Sequence, residues 1–168
     1  MISLAPTKGI RADMAPGQIV VPDQLIDYTY ARQHTFYEDD FNAAFHLDFR
    51  YPYDESLRST ILEAGSHCSI DLCEEATYGV IQGPRFTTLA EINRFERDGC
   101  NMIGMTGMPE TVLARELELA YACIALVTDK AAGRQAGFSA SREDIGCVLK
   151  QGLQVLHRLI EQTVLVLP

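Results

Sequence analysis

The sequence predicts an α/β fold, and three observations carry that reading. Between Thr77 and Asp129, apolar runs of strand length alternate with segments of helix length. The last run, Tyr121-Ala-Cys-Ile-Ala-Leu-Val127, is apolar almost throughout, as a strand buried on both faces must be. The intervening segments carry helix punctuation. Thr88 and Glu91 have the spacing of a capping box, Gly99 stands where a helix stops, and Pro109 suits a first helical turn because its missing N–H would be unpaired there.

In chain order, Ile2-Ser-Leu-Ala5 reads as a strand fragment and Pro6-Thr-Lys-Gly9 as a turn. Pro16-Gly17 is a turn signal before a short buried strand, Gln18–Val21. Pro22–Asp27 reads as a polar turn at a strand exit. Residues 28–45 show no helical period and read as a surface loop, with His34 solvated. Asp54 caps a helix over Glu55–Ala64, with Leu57, Ile61 and Leu62 on one face and Gly65 as its stop. Residues 67–76 are a loop and strand edge. Strands follow at Thr77–Gln82 and Asn101–Met105, with a helix from Thr88 to Gly99 and another from Pro109 to about Leu119. Lys130–Ala140 is a loop containing Gly133 and Gly137. Ser141 opens the last helix, with Glu143 and Asp144 in its first turn. Ile145, Val148, Leu149, Leu156, Leu159 and Ile160 repeat near the 3.6 period and form a core stripe, with His157 on the helix face.

Three strands thus end at Phe86, Met105-Thr106 and Thr128-Asp129. In open α/β sheets, ligands sit beyond the carboxyl ends of strands, so these residues are expected to converge on one cleft.

Length and composition bound the function. The 168 residues amount to one domain with a substantial core, residues 1–168. A net charge of -9 argues against a nucleic-acid partner, whose phosphates need a basic surface. No apolar run approaches the ~20 residues of a membrane span, and no secretion signal is visible at the start. Cys68, Cys73, Cys100, Cys123 and Cys147 are odd in number and irregularly spaced, which reads as reduced thiols of a cytoplasmic protein. His67, Cys68 and Cys73 lack the paired spacing of a zinc site, so no metal is expected.

Three segments carry a resemblance. They are Gly83-Pro84-Arg85-Phe86-x-Thr88-x-Ala90-Glu91, Gly104-Met105-Thr106-x-x-Pro109-Glu110-x-x-Leu113-Ala114-Arg115-Glu116 and Val127-Thr128-Asp129. In this order and spacing they resemble the trimeric purine nucleoside phosphorylase family, most closely its branch acting on 5′-methylthioadenosine or 5′-methylthioinosine. The resemblance implies a mixed sheet flanked by helices of the nucleoside phosphorylase type. It runs from about Gly9 to the C-terminus. The family's Gly-rich phosphate loop and Arg-His pair have no counterpart here, so a fold without the first strands is expected. The family's small, Gly-rich phosphate and ribose loop corresponds to Ala5, Pro6, Thr7 and Lys8, which depart from its pattern.

By that resemblance the reaction is phosphorolysis. Phosphate attacks C1′ of a purine nucleoside, the ribose develops oxocarbenium character, and the base leaves with a proton at N7. No organic cofactor is implied; phosphate is the co-substrate. Asp129 is implied as the catalytic group at the base, where desolvation would favour the protonated carboxyl that can donate to N7. Phe86 would stack on the purine, Met105 would lie under the ribose and Thr106 would contact phosphate. His46, in a segment resembling the family's Phe45–Asp54 stretch, would reach the 5′ end of a nucleoside in a neighbouring subunit, so a homotrimer is implied. Asp129 and Thr87 favour a 6-aminopurine, since the 6-oxopurine branch carries a glutamate at the Thr87 position. Ala131 cuts the other way, because the adenine-specific branch has a second aspartate there. Glu91, Glu110, Arg115 and Glu116 read as a cap, a helix-start charge and a helix-face ion pair. The expected activity is 5′-methylthioadenosine phosphorylase. The thioinosine or a general purine nucleoside is the alternative, and so is a chain that binds purine or oligomerises without turnover.

Overall fold

The computed structural model describes residues 1–37, 46–135 and 140–167. Of the expected loops, residues 38–45 (Phe45 among them) and Gly137 lie outside the described residues. Seven strands form one mixed sheet: β1 Ile2–Gly9, β2 Ile19–Val20, β3 Gln24–Tyr28, β4 Leu72–Cys73, β5 Thr77–Ile81, β6 Met102–Gly104 and β7 Ala122–Lys130. Among the described residues four helices accompany it: α1 Glu55–His67, α2 Leu89–Arg97, α3 Glu110–Glu116 and α4 Arg142–Val166. The strand order is β3-β5-β6-β1-β7-β2-β4.

The residues of β7 explain its central place. Ala122, Ile124 and Leu126 pack against α1 and α4 through Leu57, Ile61, Leu156 and Leu159. The alternate residues Cys123, Ala125 and Val127 face a second core with Tyr53, Tyr78, Met102 and Tyr121. Period-two alternation with both faces covered is what an unbroken apolar run encodes. A third cluster seats α2 on the sheet, with Ile92 and Phe95 against Ile81 and Ile103. All five cysteines are free, and burial pushes the Cys123 thiol up to about 12.

Several expectations are corrected. The segment Pro6–Gly9 is not a turn, because β1 continues through it. Pro6 pairs with Leu126 of β7, while β6 meets β1 only at Lys8 and Gly9. The N–H that proline lacks is therefore not required by β6. Pro22–Asp27 is not only a polar turn, since Gln24–Tyr28 forms an edge strand paired with β5 alone. α1 passes through Gly65 to His67. A Cβ on Gly65 would stand 2.3 Å from Leu72 Cδ1, so that glycine serves close packing and does not end the helix. α3 stops at Glu116, short of Leu119, and Pro109 is its N-cap rather than its first turn. α2 ends as expected, with Gly99 at φ +97.

The sheet directions also differ from the open-sheet expectation. β5 and β6 are parallel to each other, as are β1 and β7, but β6 and β1 are antiparallel. The carboxyl ends at Phe86 and Met105 therefore point the opposite way from that of β7. They still meet Thr128, because β6 overlaps only the last two residues of β1. The site lies along this seam of reversed direction and not beyond one common sheet edge.

Candidate functional site

β7 continues through Thr128 and Asp129, so Asp129 lies within a strand and not just past one. The ladder between β1 and β7 shifts register between Thr7 and Lys8. Thr7 opposes Val127, whereas Lys8 opposes Asp129. Thr128 is the extra residue, and its hydroxyl donates to the Thr7 carbonyl at 3.1 Å. Such irregularities re-aim side chains. Here Lys8 Nζ reaches Asp129 Oδ2 at 2.7 Å. Asp129 is 1% exposed, and its Oδ1 accepts from the Lys130 amide at 2.7 Å. The desolvation expected at Asp129 is present, but Lys8 supplies a counter-charge inside it.

Phe86 reaches this pair from the loop after β5. It is 72% exposed, so it is no core residue, and Lys8 Nζ stands 4.9 Å from its ring centroid. The loop turns at Gly83, which has φ +65 and a cis bond to Pro84. A Cβ on Gly83 would lie 2.6 Å from Met105 Sδ, so glycine at this position lets the two strand exits come together.

Phe86, Thr87, Met105 and Thr106 border one cleft of about 350 Å³ together with Pro6, Thr7, Lys8, Ile81, Ile103, Gly104, Thr128 and Ile145. Among the described residues, Lys8 is the sole charged side chain lining it. Asp129 does not line the cleft and touches it only through Lys8. Thr106 is exposed, over the buried Tyr78, whose hydroxyl accepts from the Thr106 amide at 3.4 Å. A smaller hollow of about 120 Å³ adjoins, lined by Tyr28, Tyr30, Gln82, Gly83, Arg85 and Glu91 among others, and shares Ile81 and Thr87 with the cleft. His46 is exposed and lines neither.

The sequence reading missed four contributors. Lys8 entered only as a departure from a pattern. Ile145, expected in the core stripe, lines the cleft instead, and Thr7 has no signal in a segment read as a turn. Arg32 lies in the segment read as a surface loop. Its guanidinium donates to the carbonyls of Gln82 (2.9 Å) and Met105 (3.0 Å), to that of Met108 and more weakly to that of Ile81 (3.4 Å), tying together the exits of β5 and β6. His34, expected to be solvated, is half-buried, with Nε2 3.3 Å from the Thr29 hydroxyl and Nδ1 3.6 Å from Asp27. Glu116, read as part of a helix-face pair, instead accepts from the Phe36 amide at 2.9 Å.

The capping box on α2 formed as its spacing predicts. Arg85 adds a two-pronged contact to Glu91 at 2.7 and 2.9 Å. The Arg85 guanidinium first, then the Thr88 amide, hold the Glu91 carboxyl at about 2 against an ordinary 4.5. A depressed folded pKa stabilises in full above the unfolded value, and the contribution is lost as pH falls from about 4.5 toward about 2. Glu91→Gln keeps an acceptor for the cap but carries no charge. Its unfolding free energy is expected to fall less steeply than wild type across that window in urea titrations, and an unchanged slope would contradict this.

The arrangement offers a planar apolar wall, a thioether, four threonine hydroxyls and one ammonium backed by a buried carboxylate. Residues 4–164 match the family described as the phosphorylase superfamily. A protein of Pseudomonas syringae pv. tomato named probable S-methyl-5′-thioinosine phosphorylase is 52% identical over 126 residues, covering 75% of this chain and 51% of that protein. The S-methyl-5′-thioadenosine phosphorylase of Mycobacterium tuberculosis is 42% identical over 152 residues, covering 90% and 54%. The methylthioadenosine phosphorylase of Schistosoma mansoni in complex with adenine superposes with a TM-score of 0.91 at 25% identity, covering 98% of this chain and 64% of that one. The chain thus spans about half to two thirds of the length of these proteins.

Proposed function

The chain belongs to the phosphorylase superfamily, and on that premise we propose that its cleft is the base and ribose side of a purine nucleoside phosphorylase site. The substrate class is a 5′-methylthio purine nucleoside, cleaved by phosphate to the free base and 5-methylthioribose 1-phosphate. The observation that carries this reading is the meeting of Phe86, Met105, Thr106 and Lys8 around one cleft, with Asp129 buried behind Lys8. An exposed aromatic face suits a purine ring, because stacking suits any planar base. Met105, half-buried beside it, suits the apolar face of a ribose and its 5′-thioether. The Thr106 hydroxyl can donate to a phosphate oxygen at C1′. Asp129 acts on the base through Lys8, as the buried counter-charge that keeps an ammonium at the leaving group.

His46 is exposed and outside the cleft of its own chain, which suits a role in the site of a neighbouring copy. A homotrimer in which it covers the 5′ end of the nucleoside is part of the proposal. So is a cytoplasmic setting, without nucleic-acid or membrane partners; among the described residues no helix is long and apolar enough to cross a membrane.

A second reading has its own support. Phosphate needs positive charge, and the ammonium of Lys8, the sole charged group on the cleft wall among the described residues, is committed to Asp129. Purine binding with little turnover by this chain alone fits that charge count. Phosphate-dependent release of free base from a 5′-methylthio nucleoside, followed alongside calorimetric binding of the base, separates the two. Turnover supports the phosphorylase reading, binding alone supports the second, and neither contradicts both.

A further inference from the structure

The proposed function leaves open which group stands at C6 of the purine, and a role in choosing that group rests on the proposed function. We infer that Lys8 selects the base, favouring a 6-oxopurine over a 6-aminopurine by donating to O6 and N7.

Lys8 Nζ lies 2.7 Å from Asp129 Oδ2 and 4.9 Å from the centroid of Phe86. The ammonium thus stands over the Phe86 ring, and a purine stacked on that ring with an offset meets it at its edge. An ammonium has three N–H donors and no acceptor. One donor goes to Asp129, and among the described residues no other hydrogen bond engages Nζ. A 6-oxopurine presents two neighbouring acceptors, O6 and N7, and can take both remaining donors. A 6-aminopurine presents N7 beside an N–H₂ group, which brings donor against donor. Asp129, the group that would accept from a 6-amino substituent, has Oδ2 on Lys8 and Oδ1 on the Lys130 amide. It is also buried behind the cleft wall.

The position of Lys8 is built into the backbone. The register shift between Thr7 and Lys8 sets it opposite Asp129, and Gly9 beyond it pairs with Lys130 on one side and Met102 on the other. Moving the ammonium aside would leave the Asp129 carboxylate, at 1% exposure, without its counter-ion. The base must accommodate Lys8, rather than Lys8 the base. An ammonium at N7 also opposes the negative charge that spreads over the purine as the C1′–N9 electron pair leaves with the base.

The test is calorimetric titration of the intact chain with hypoxanthine and with adenine, for wild type, Lys8→Gln, Lys8→Met and Lys8→Arg. Wild type is expected to bind hypoxanthine about 10- to 100-fold more tightly, the range of a charge-assisted hydrogen bond lost to a mismatched donor. Lys8→Gln keeps a donor for Asp129, so it protects the fold if Lys8→Met does not fold. Its amide can both donate and accept, and its preference is expected to shrink to within about threefold. Lys8→Arg is expected to keep the wild-type preference. Equal binding of the two bases by wild type, tighter binding of adenine, or a preference unchanged in folded Lys8→Gln overturns the role of Lys8 while the proposed function stands. Failure of wild type to bind either base overturns the role of Lys8, and the proposed function falls with it only if no base is released from a 5′-methylthio nucleoside either.

Discussion

Lys8→Ala is expected to destabilise the protein by about 3 kcal/mol at neutral pH, more than the about 1–2 kcal/mol expected for Asp129→Ala. The ion pair is the same in both cases, and the group left behind differs. Asp129 is 1% exposed, whereas the Lys8 side chain is 24% exposed. Removing Lys8 strands a carboxylate within a strand that is buried along almost its whole length, with only the Lys130 amide as a described donor to it. Removing Asp129 strands an ammonium on a flexible stem at the wall of an open cleft, where it can turn to water. The double replacement is expected to cost less than the sum of the two, since neither charge is then orphaned. Urea unfolding midpoints of the three variants give the comparison. Equal single losses, or strictly additive ones, would show that the pair is not the buried contact described.

Arg32→Ala is expected to weaken purine binding at least about tenfold, although Arg32 is not among the residues lining the cleft. It is also expected to cost about 2–3 kcal/mol of stability. Its guanidinium engages backbone carbonyls on both strand exits, Ile81 at the end of β5, Gln82 just past it, and Met105 and Met108 after β6, and the Gln82 side chain at 3.1 Å. Phe86 and Met105 are carried by those two exits, and the approach of Met105 to Gly83 leaves no slack between them. Without the guanidinium the exits can part, and the aromatic wall and the thioether no longer face one hollow. A planar fork with several donors makes these contacts and an ammonium does not, so Arg32→Lys is expected to resemble Arg32→Ala. Binding of a purine measured at a temperature where both variants remain folded separates the positioning effect from unfolding. Unchanged affinity in folded Arg32→Ala would contradict it.

The parts of the fold legible in the sequence are those written locally. Thr88 with Glu91 forms the capping box its spacing predicts, and Ser141 opens α4 with Asp144 in the first turn as expected, because four consecutive residues contain all the partners. The strand at β7 was legible because burial on both faces leaves no polar position within the run. What escaped depends on pairing over long sequence distance. The extension of β7 through Asp129 is set by Lys8 and Gly9, about 120 residues earlier in the chain. The reversal between β6 and β1 leaves no composition signal, since a strand reads the same whichever way its neighbour runs. Arg32 lies in a segment that reads as a surface loop, and nothing in the sequence marks its role because its partners are carbonyls, which any sequence supplies. The strand-end rule brings Phe86, Met105, Thr106, Thr128 and Asp129 to one cleft, and all but Asp129 line one; the resemblance adds Thr87, which lines it too. It gave no warning that Lys8 would stand between Asp129 and the cleft, because the family pattern at that position is glycine-rich and carries no side-chain charge.

The central claim is that a purine stacks on Phe86 with one edge turned toward Lys8, which Asp129 backs. A crystal structure of the chain soaked with hypoxanthine tests it most directly. The base is expected flat against the Phe86 ring, with its O6 and N7 edge toward Lys8 Nζ and Met105 beside its N9 side. A base seated instead in the neighbouring hollow of Tyr28, Tyr30 and Arg85, or one lying away from Phe86 altogether, would contradict the account.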